Sequence, residues 1–205
     1  MGHHRPLFSF ARIGAVDHEL DCLVEEPLEP IVTRRLMLRP PVTDDAGAIA
    51  RLADDAGIAA MLARLPHPYT IEHARSFIEN AGREMVFAVT EQGSGRLLGL
   101  CGLRPTHKVR AVDLGYWMGR AHWGQGYATE AAQAVIDLGF ARLDIESIWA
   151  NCRAINLASR RVLEKCGFQH RGTGTFVSVA AGRVSSEDFH LDRRAWEALK
   201  AWGRA

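Results

Sequence analysis

Hydrophobic and polar positions change period several times along the chain, and each change marks an element. From Ile31 a loose alternation runs through Val32, Arg34, Leu36 and Leu38 until Pro40-Pro41, which predicts one strand stopped by residues that cannot donate to a ladder. Thr43 followed by Asp44-Asp45 supplies an N-cap and a negative first turn. The helix they open carries Ile49, Leu52 and Ala53, breaks near Gly57, resumes through Met61, Leu62 and Leu65, and ends at Pro66-His67-Pro68. Thr70 caps a second helix, in which Ile71, Ala74, Phe77 and Ile78 keep helical spacing.

The next stretch reads as sheet. Residues 85–90 (MVFAVT) and 97–103 (LLGLCGL) flank Gly93-Ser94-Gly95 as a hairpin, and residues 112–118 (VDLGYWM) follow as a third strand. The period then becomes helical through Ala128, Ala131, Ala132, Val135, Ile136, Leu138 and Gly139. A strand at 147–151, a helix from Asn156 to Cys166, strands near Phe168 and Phe189, and a helix from Arg193 to Trp202 complete the pattern. The expected fold class is mixed α+β.

Length agrees with one domain, since 205 residues bury a sizeable core without staples. Residues 1–30, with two prolines beside Glu25-Glu26 and no sustained period, read as an N-terminal extension, and residues 31–205 as the domain. Hydrophobic residues are 47% and charged ones 24%, ordinary values for a globular protein. The net charge of +1 gives no global field for nucleic acid or an anionic membrane. Cys22, Cys101, Cys152 and Cys166 form no C-x-x-C pair, so neither zinc nor a disulfide framework is expected, and no metal is assigned. The nearest thing to a leader, residues 7–16, is interrupted by Arg12, so the expected location is cytoplasmic.

The chemistry concentrates in Trp123-Gly124-Gln125-Gly126-Tyr127-Ala128-Thr129, between a strand ending at Met118 and a long helix. Glycines let the backbone approach a ligand, and amides at a helix start face outward with the positive end of the dipole behind them. This is an anion cradle. It lacks the Gly-Lys-Ser/Thr of a P-loop and the spacing of a dinucleotide fingerprint.

The runs DLGYWMGRAHWGQGYATEAAQAVIDLGF from Asp113 and NCRAINLASRRVLEKCGF from Asn151 resemble the GNAT superfamily of acyl-CoA-dependent N-acetyltransferases. The branch is that of the ribosomal-protein N-terminal acetyltransferases. The resemblance extends from about Ile31 to Trp196 and includes Leu65-Pro66-His67-Pro68-Tyr69. It implies a GNAT fold: a mostly antiparallel twisted sheet of six to seven strands, splayed at the cofactor site and flanked by about four helices. It further implies acetyl-CoA as cosubstrate, its pyrophosphate on the amides of Gln125, Gly126, Tyr127, Ala128 and Thr129, in a loop that includes Trp123 and Gly124. Pantetheine then lies along Tyr116, Trp117 and Met118, and Asn156 bonds the same arm. Asn156 also reads as a plain helix N-cap. Ser159, one turn on, brings a hydroxyl toward the thioester sulfur.

This sequence departs from the family pattern at two positions. Trp123 stands where many members carry Arg or Gln, and Leu163 where many place a tyrosine general acid, which leaves Ser159 or a water to protonate the thiolate. Arg120, Arg160 and Arg161 are candidates for the ribose 3′-phosphate, at least two of them expected on solvated helix faces, and His122 is expected to be exposed.

Transfer requires a neutral amine. At pH 7 deprotonating an α-amine costs about 1 to 1.5 kcal/mol and a lysine about 4 to 5. Asp113 is the first candidate base; its alternative role is a strand-end carboxylate paired with Arg110 or Lys108. Asp188 and Glu187 are the second choice. His67 and Tyr69 are candidate acceptor contacts in a loop that is equally suited to being merely rigid. The acceptor is a protein or peptide N-terminus, a lysine or a small amine. A polycationic acceptor would call for an acidic cluster, for which Asp44, Asp45, Asp54 and Asp55 are candidates. Two other classes stay open: a non-catalytic CoA-binding sensor, and a protein reading ATP through the same amides. Monomer and homodimer are both compatible with the sequence.

Overall fold

The computed structural model describes residues 27–81 and 84–202, so most of the expected extension, and Cys22, lie outside the described residues. Among them eight strands form one sheet: β1 (Ile31–Val32), β2 (Leu36–Arg39), β3 (Met85–Glu91), β4 (Leu97–Pro105), β5 (Ala111–Met118), β6 (Ser147–Arg153), β7 (Gln169–Ser178) and β8 (Gly182–Asp192). Their order is β1-β2-β3-β4-β5-β6-β8-β7. All neighbours are antiparallel except β5 and β6. Six α-helices accompany them: α1 (Ala46–Ala53), α2 (Ala56–Met61), α3 (Ile71–Asn80), α4 (Tyr127–Arg142), α5 (Leu157–Lys165) and α6 (Arg193–Trp202).

The element counts exceed the expectation for local reasons. The single strand expected from Ile31 folds back on itself, because the Thr33 amide and the Leu36 carbonyl pair at 2.9 Å while the Thr33 hydroxyl accepts the Leu36 amide at 3.0 Å. The helix expected from Thr43 comes in pieces: a 3-10 turn at Thr43–Asp45, then α1 and α2. Its break falls at Asp54-Asp55 rather than at Gly57. The Asp55 carboxylate accepts the amides of Gly57 and Ile58 at 2.8 and 3.0 Å, and so starts a new helix. Thr70 caps α3 as expected, with its hydroxyl accepting from His73 N.

The sheet is covered on both faces, which is why residues 85–89 and 97–101 read as continuous apolar runs. Met85, Phe87 and Val89 join α4 and α5 in one core. Val86, Ala88 and Leu100 join α1, α2 and α3 in a second core on the opposite face. Phe87, Leu103 and Ile148 are 0% exposed, and each such side chain contributes about 1.5 to 3 kcal/mol.

The feature that creates a site is the parallel junction. β5 and β6 pair only at Ala111↔Ser147, Val112↔Ile148 and Asp113↔Trp149. Beyond that point they part, β6 staying with β8 through Ser186 while β5 stays with β4 through Met118. The backbone of Tyr116 to Met118 therefore faces no strand on that side, and the sheet opens into a cleft.

Candidate active site

The cleft has a volume of about 740 Å³ and runs from the start of α4, between β5 and α5, to the face beneath α2 and α3. At its first end Gly126 is the N-cap of α4, with φ 80° and no capping side chain. The first helical bond is Glu130 N to Gly126 O at 3.1 Å. The amides of Tyr127, Ala128 and Thr129 thus precede the helix's own acceptors, and no cap side chain competes for them. Gly124, with φ 73°, takes the second left-handed position of the loop. At the far end of α4 the Arg193 guanidinium bonds the carbonyls of Phe140, Ile145 and Leu143 at 2.8, 3.0 and 3.1 Å, which complements the negative end of the dipole.

A carboxylate in the first turn of α4 would repel an anion, and Glu130 is there. Its charge is taken up from outside the cleft. Thr33 Oγ1 donates to Oε1 at 2.6 Å, Arg35 N donates to Oε1 at 2.9 Å, and Arg35 Nε donates to Oε2 at 2.7 Å. The same guanidinium bonds Gln125 O at 2.9 Å and lies 4.6 Å from the centre of the Tyr127 ring. Burial alone would raise the Glu130 carboxyl, but these donors outweigh it and hold the group below its ordinary range.

The three candidate arginines separate cleanly. Arg120 makes a two-point pair with Asp55 at 2.8 and 2.9 Å, and Arg160 is paired with the buried Glu187. Arg161 lines the cleft. His122, expected to be exposed, is 9% exposed, and burial lowers its pKa. Trp123 is half exposed, lines the cleft and donates Nε1 to Met118 O at 2.7 Å.

Where β5 and β6 part, Tyr116 points to the α4 and α5 side and reaches α5. Its hydroxyl is 2.8 Å from Ser159 Oγ and donates to Ser159 O at 3.2 Å. Asn156 caps α5 by accepting Ser159 N at 3.1 Å. Tyr116, Asn156, Ser159 and Cys152 all line the cleft. Burial, with the nearby Glu187 charge, pushes the Cys152 thiol up to about 11.

The opposite end is built on the other face of the sheet. Gly102 and Gly115 stand across from each other in register, and a Cβ at Gly115 would meet nothing within 4 Å. Glu84, Arg64 and Arg104 line this end with Tyr69. Burial raises Glu84 despite the charges of Arg104 and Arg64. The segment 60–63 roofs it and is tied to the far half of the sheet. Arg153 Nη1 donates to Ala60 O at 2.9 Å, Ser178 Oγ to Leu62 O at 2.8 Å, and Val179 N to Ala63 O at 2.9 Å.

Three of the expected site residues stand off the cleft lining. Gln125 turns its side chain back to Ala121 O at 3.0 Å. His67 pairs with Asp54 at 3.1 Å, and Asp54 also accepts Tyr69 N, so the loop's polar contacts hold it to α1. Asp113 lies where β5 and β6 still pair, with Arg104 Nε at 3.7 Å from its carboxylate. Arg110 pairs instead with Asp144 and Glu146, while Lys108, whose ammonium sits 3.8 Å from the ring centre of Trp149 across the register, makes no ion pair with Asp113 but still acts on its charge. Burial raises the Asp113 carboxyl. Of the second-choice bases, Glu187 is committed to Arg160 and Asp188 does not line the cleft.

A family model described as acetyltransferase (GNAT) domain matches residues 35–169. The chain belongs to this family. As a GNAT domain it is an N-acetyltransferase, and its relatives carry the same name. It is 28% identical over 164 residues to an uncharacterized N-acetyltransferase, p20, of Bacillus licheniformis, covering 77% of this chain and 92% of that one. Two solved structures share the fold. Mycobacterium smegmatis RimJ in complex with CoA-disulfide superposes with a TM-score of 0.70 at 24% identity, covering 82% of this chain and 90% of that one. The ribosomal-protein-S5-alanine acetyltransferase of Vibrio fischeri gives 0.70 at 17% identity, covering 82% and 98%.

The GNAT domain also holds site features that sequence reasoning missed. Glu84 precedes β3, but it shares parity with Val86 and Ala88, which face α1 and α3, so alternation alone would have placed it on the acceptor face. The clasp of Glu130 by Thr33 and Arg35 spans 95 residues and has no local signal. Among the described residues no helix is long and apolar enough to cross a membrane, and no group of His, Cys, Asp and Glu is arranged to hold a metal ion.

Proposed function

We propose that this enzyme transfers the acetyl group of acetyl-CoA directly to a primary amine, and that the acceptor is a protein or peptide α-amine. The observation that carries the reading is continuity: one cleft joins an uncapped helix start to a separate polar end across the gap between β5 and β6. The first end suits a pyrophosphate, with the amides of Tyr127, Ala128 and Thr129 open and the Glu130 charge neutralised from behind. Acetyl-CoA supplies the activated acyl group as a thioester. On the side where β6 has parted from β5, the backbone of Tyr116 and the amide of Met118 face the cleft to bond its amide arm and polarise its carbonyl, the Met118 carbonyl being held by Trp123 Nε1.

Glu84 is the carboxylate we assign to receive the proton of the incoming amine, and Asp113 shares the neighbouring Arg104 with it. A raised carboxyl pKa suits a base acting on an α-amine near pH 7. The four acidic residues considered for polycation binding do not form an acidic funnel: Asp45 is paired with Arg39, Asp55 with Arg120 and Asp54 with His67, and none of the four lines the cleft. The acceptor end carries Arg64 and Arg104 instead, which disfavours a polycation. The ribosomal-protein acetyltransferase of like fold supports a peptide acceptor. Direct transfer is supported by Cys152, whose high pKa keeps it a thiol and a weak nucleophile.

The test is acetylation of peptides with free α-amines, followed by mass and thiol release. The expected result is α-amine acetylation with intersecting initial-rate lines. Acetylation of small amines alone would overturn the acceptor assignment, and a ping-pong pattern would overturn direct transfer. Acetyl-CoA binding without acetylation of any amine would make the protein a sensor.

A further inference from the structure

Leucine occupies position 163, buried in the core at 1% exposure, so α5 presents no phenol at that place. A phenol nevertheless reaches the same end of the cleft from another element. Tyr116 comes from β5, on the face shared with Cys101 across the register, and its hydroxyl lies 2.8 Å from Ser159 Oγ. Each hydroxyl has one proton to give. If Ser159 donated to Tyr116, its own proton would be spent inside the protein. If Tyr116 donates to Ser159, the Ser159 proton is left for the Cys152 sulfur, which it also reaches, or for a stronger acceptor standing in the cleft. Ser159 O, 3.2 Å from the Tyr116 oxygen, competes with Ser159 Oγ for the single phenol proton, so the phenol is held against the first turn of α5 whichever of the two acceptors it serves. Asn156 fixes the same turn by accepting Ser159 N. The serine hydroxyl therefore pivots between partners whose places are set.

We propose that Tyr116 is a positioning residue for Ser159: with the donor loaded, Tyr116 O–H donates to Ser159 Oγ, and the Ser159 proton is turned toward the coenzyme A sulfur. This rests on the acetyl-CoA reading above. As the new N–C bond forms and the C–S bond breaks, the electron pair goes to sulfur, and the Ser159 hydrogen bond stabilises the thiolate. The amine proton leaves to Glu84, and the thiolate later takes a proton from water. Tyr116 loses no proton in this scheme. Its contribution is to strengthen and aim the serine donor, since hydrogen bonds in series polarise one another. Burial raises the Tyr116 phenol above its ordinary range, which keeps it protonated as a donor throughout the neutral range.

The experiment needs no acceptor. Coenzyme A labelled with carbon-13 at the carbon bonded to sulfur is bound to the full chain, and its shift is followed against pH to give the thiol pKa in the complex. The wild type should hold that thiol below its value in free coenzyme A. Tyr116→Phe, which keeps the ring, should raise it by about one, the scale of a single hydrogen bond to a charged group. Ser159→Ala should raise it at least as far, and the double variant no further than Ser159→Ala, because the two act as one device. A Tyr116→Phe titration equal to wild type, or additive effects in the double variant, would overturn the inference while leaving the acetyl-CoA reading intact. Failure of wild type to bind coenzyme A would overturn both.

Discussion

The Glu130 carboxylate meets the Arg35 guanidinium at 2.7 Å on the outer side of the first turn of α4. The acid that would spoil an anion site is thus silenced by a residue 95 positions earlier. Arg35→Ala should weaken coenzyme A binding by about 2- to 5-fold, the effect of an uncompensated charge at a helix N-terminus, worth about 0.5 to 1 kcal/mol. Fluorescence or calorimetric titration at low salt measures it, and the loss should shrink as salt rises.

The same clasp sets a pH dependence. Glu130 is held below its ordinary value of 4.5, so its contribution to stability is fully present above that value and is lost as pH falls through the lowered one. Thermal midpoints of wild type and Glu130→Gln should therefore differ most above about pH 5 and converge in stronger acid. A gap between the two that widens on acidification would contradict the clasp.

Glu84 and Asp113 make a sharper comparison, because burial raises both but only Glu84 lines the cleft. A base must be deprotonated, so kcat/KM should show a limb that rises with pH through the Glu84 value, separate from the ionisation of the α-amine itself at higher pH. Glu84→Gln should lower kcat/KM by about 10²-fold or more and abolish that limb. Asp113→Asn should retain the limb with a smaller loss, acting through Arg104. The reverse ranking in paired pH profiles would return the role of base to Asp113.

Much of this was legible in the sequence where the signal is local. Gly124 and Gly126 mark left-handed positions before a helical period, and Thr70 and Asn156 stand as caps at element starts. The splay of β5 from β6, by contrast, was implied by family resemblance. What stayed hidden depends on contacts distant in sequence. The fold-back of β1 on β2 is set by Thr33 bonding Leu36, although periodicity reads through it as one strand. The break at Asp54-Asp55 follows from an aspartate that caps and also pairs with Arg120, 65 residues on. Asp113, expected on the strand that faces the thioester, sits at the height where β5 still pairs with β6; that height is a property of the register.

The roof of the acceptor end depends on Ser178, buried at 2% exposure and donating to Leu62 O at 2.8 Å. Ser178→Ala leaves that carbonyl short of a donor and should cost about 1 kcal/mol of stability. Its kinetic mark should be selective: KM for the acceptor rises several-fold while acetyl-CoA affinity is unchanged. Steady-state kinetics with each substrate varied in turn checks the split.

Everything proposed for the cleft depends on the amides opening α4 forming a coenzyme A site. Calorimetric titration of acetyl-CoA into the full chain, with ATP as the competing anion, tests it most directly. Acetyl-CoA should bind saturably at micromolar concentration, with no heat from ATP at the same concentrations. Absence of acetyl-CoA binding, or ATP binding as tightly, would contradict it.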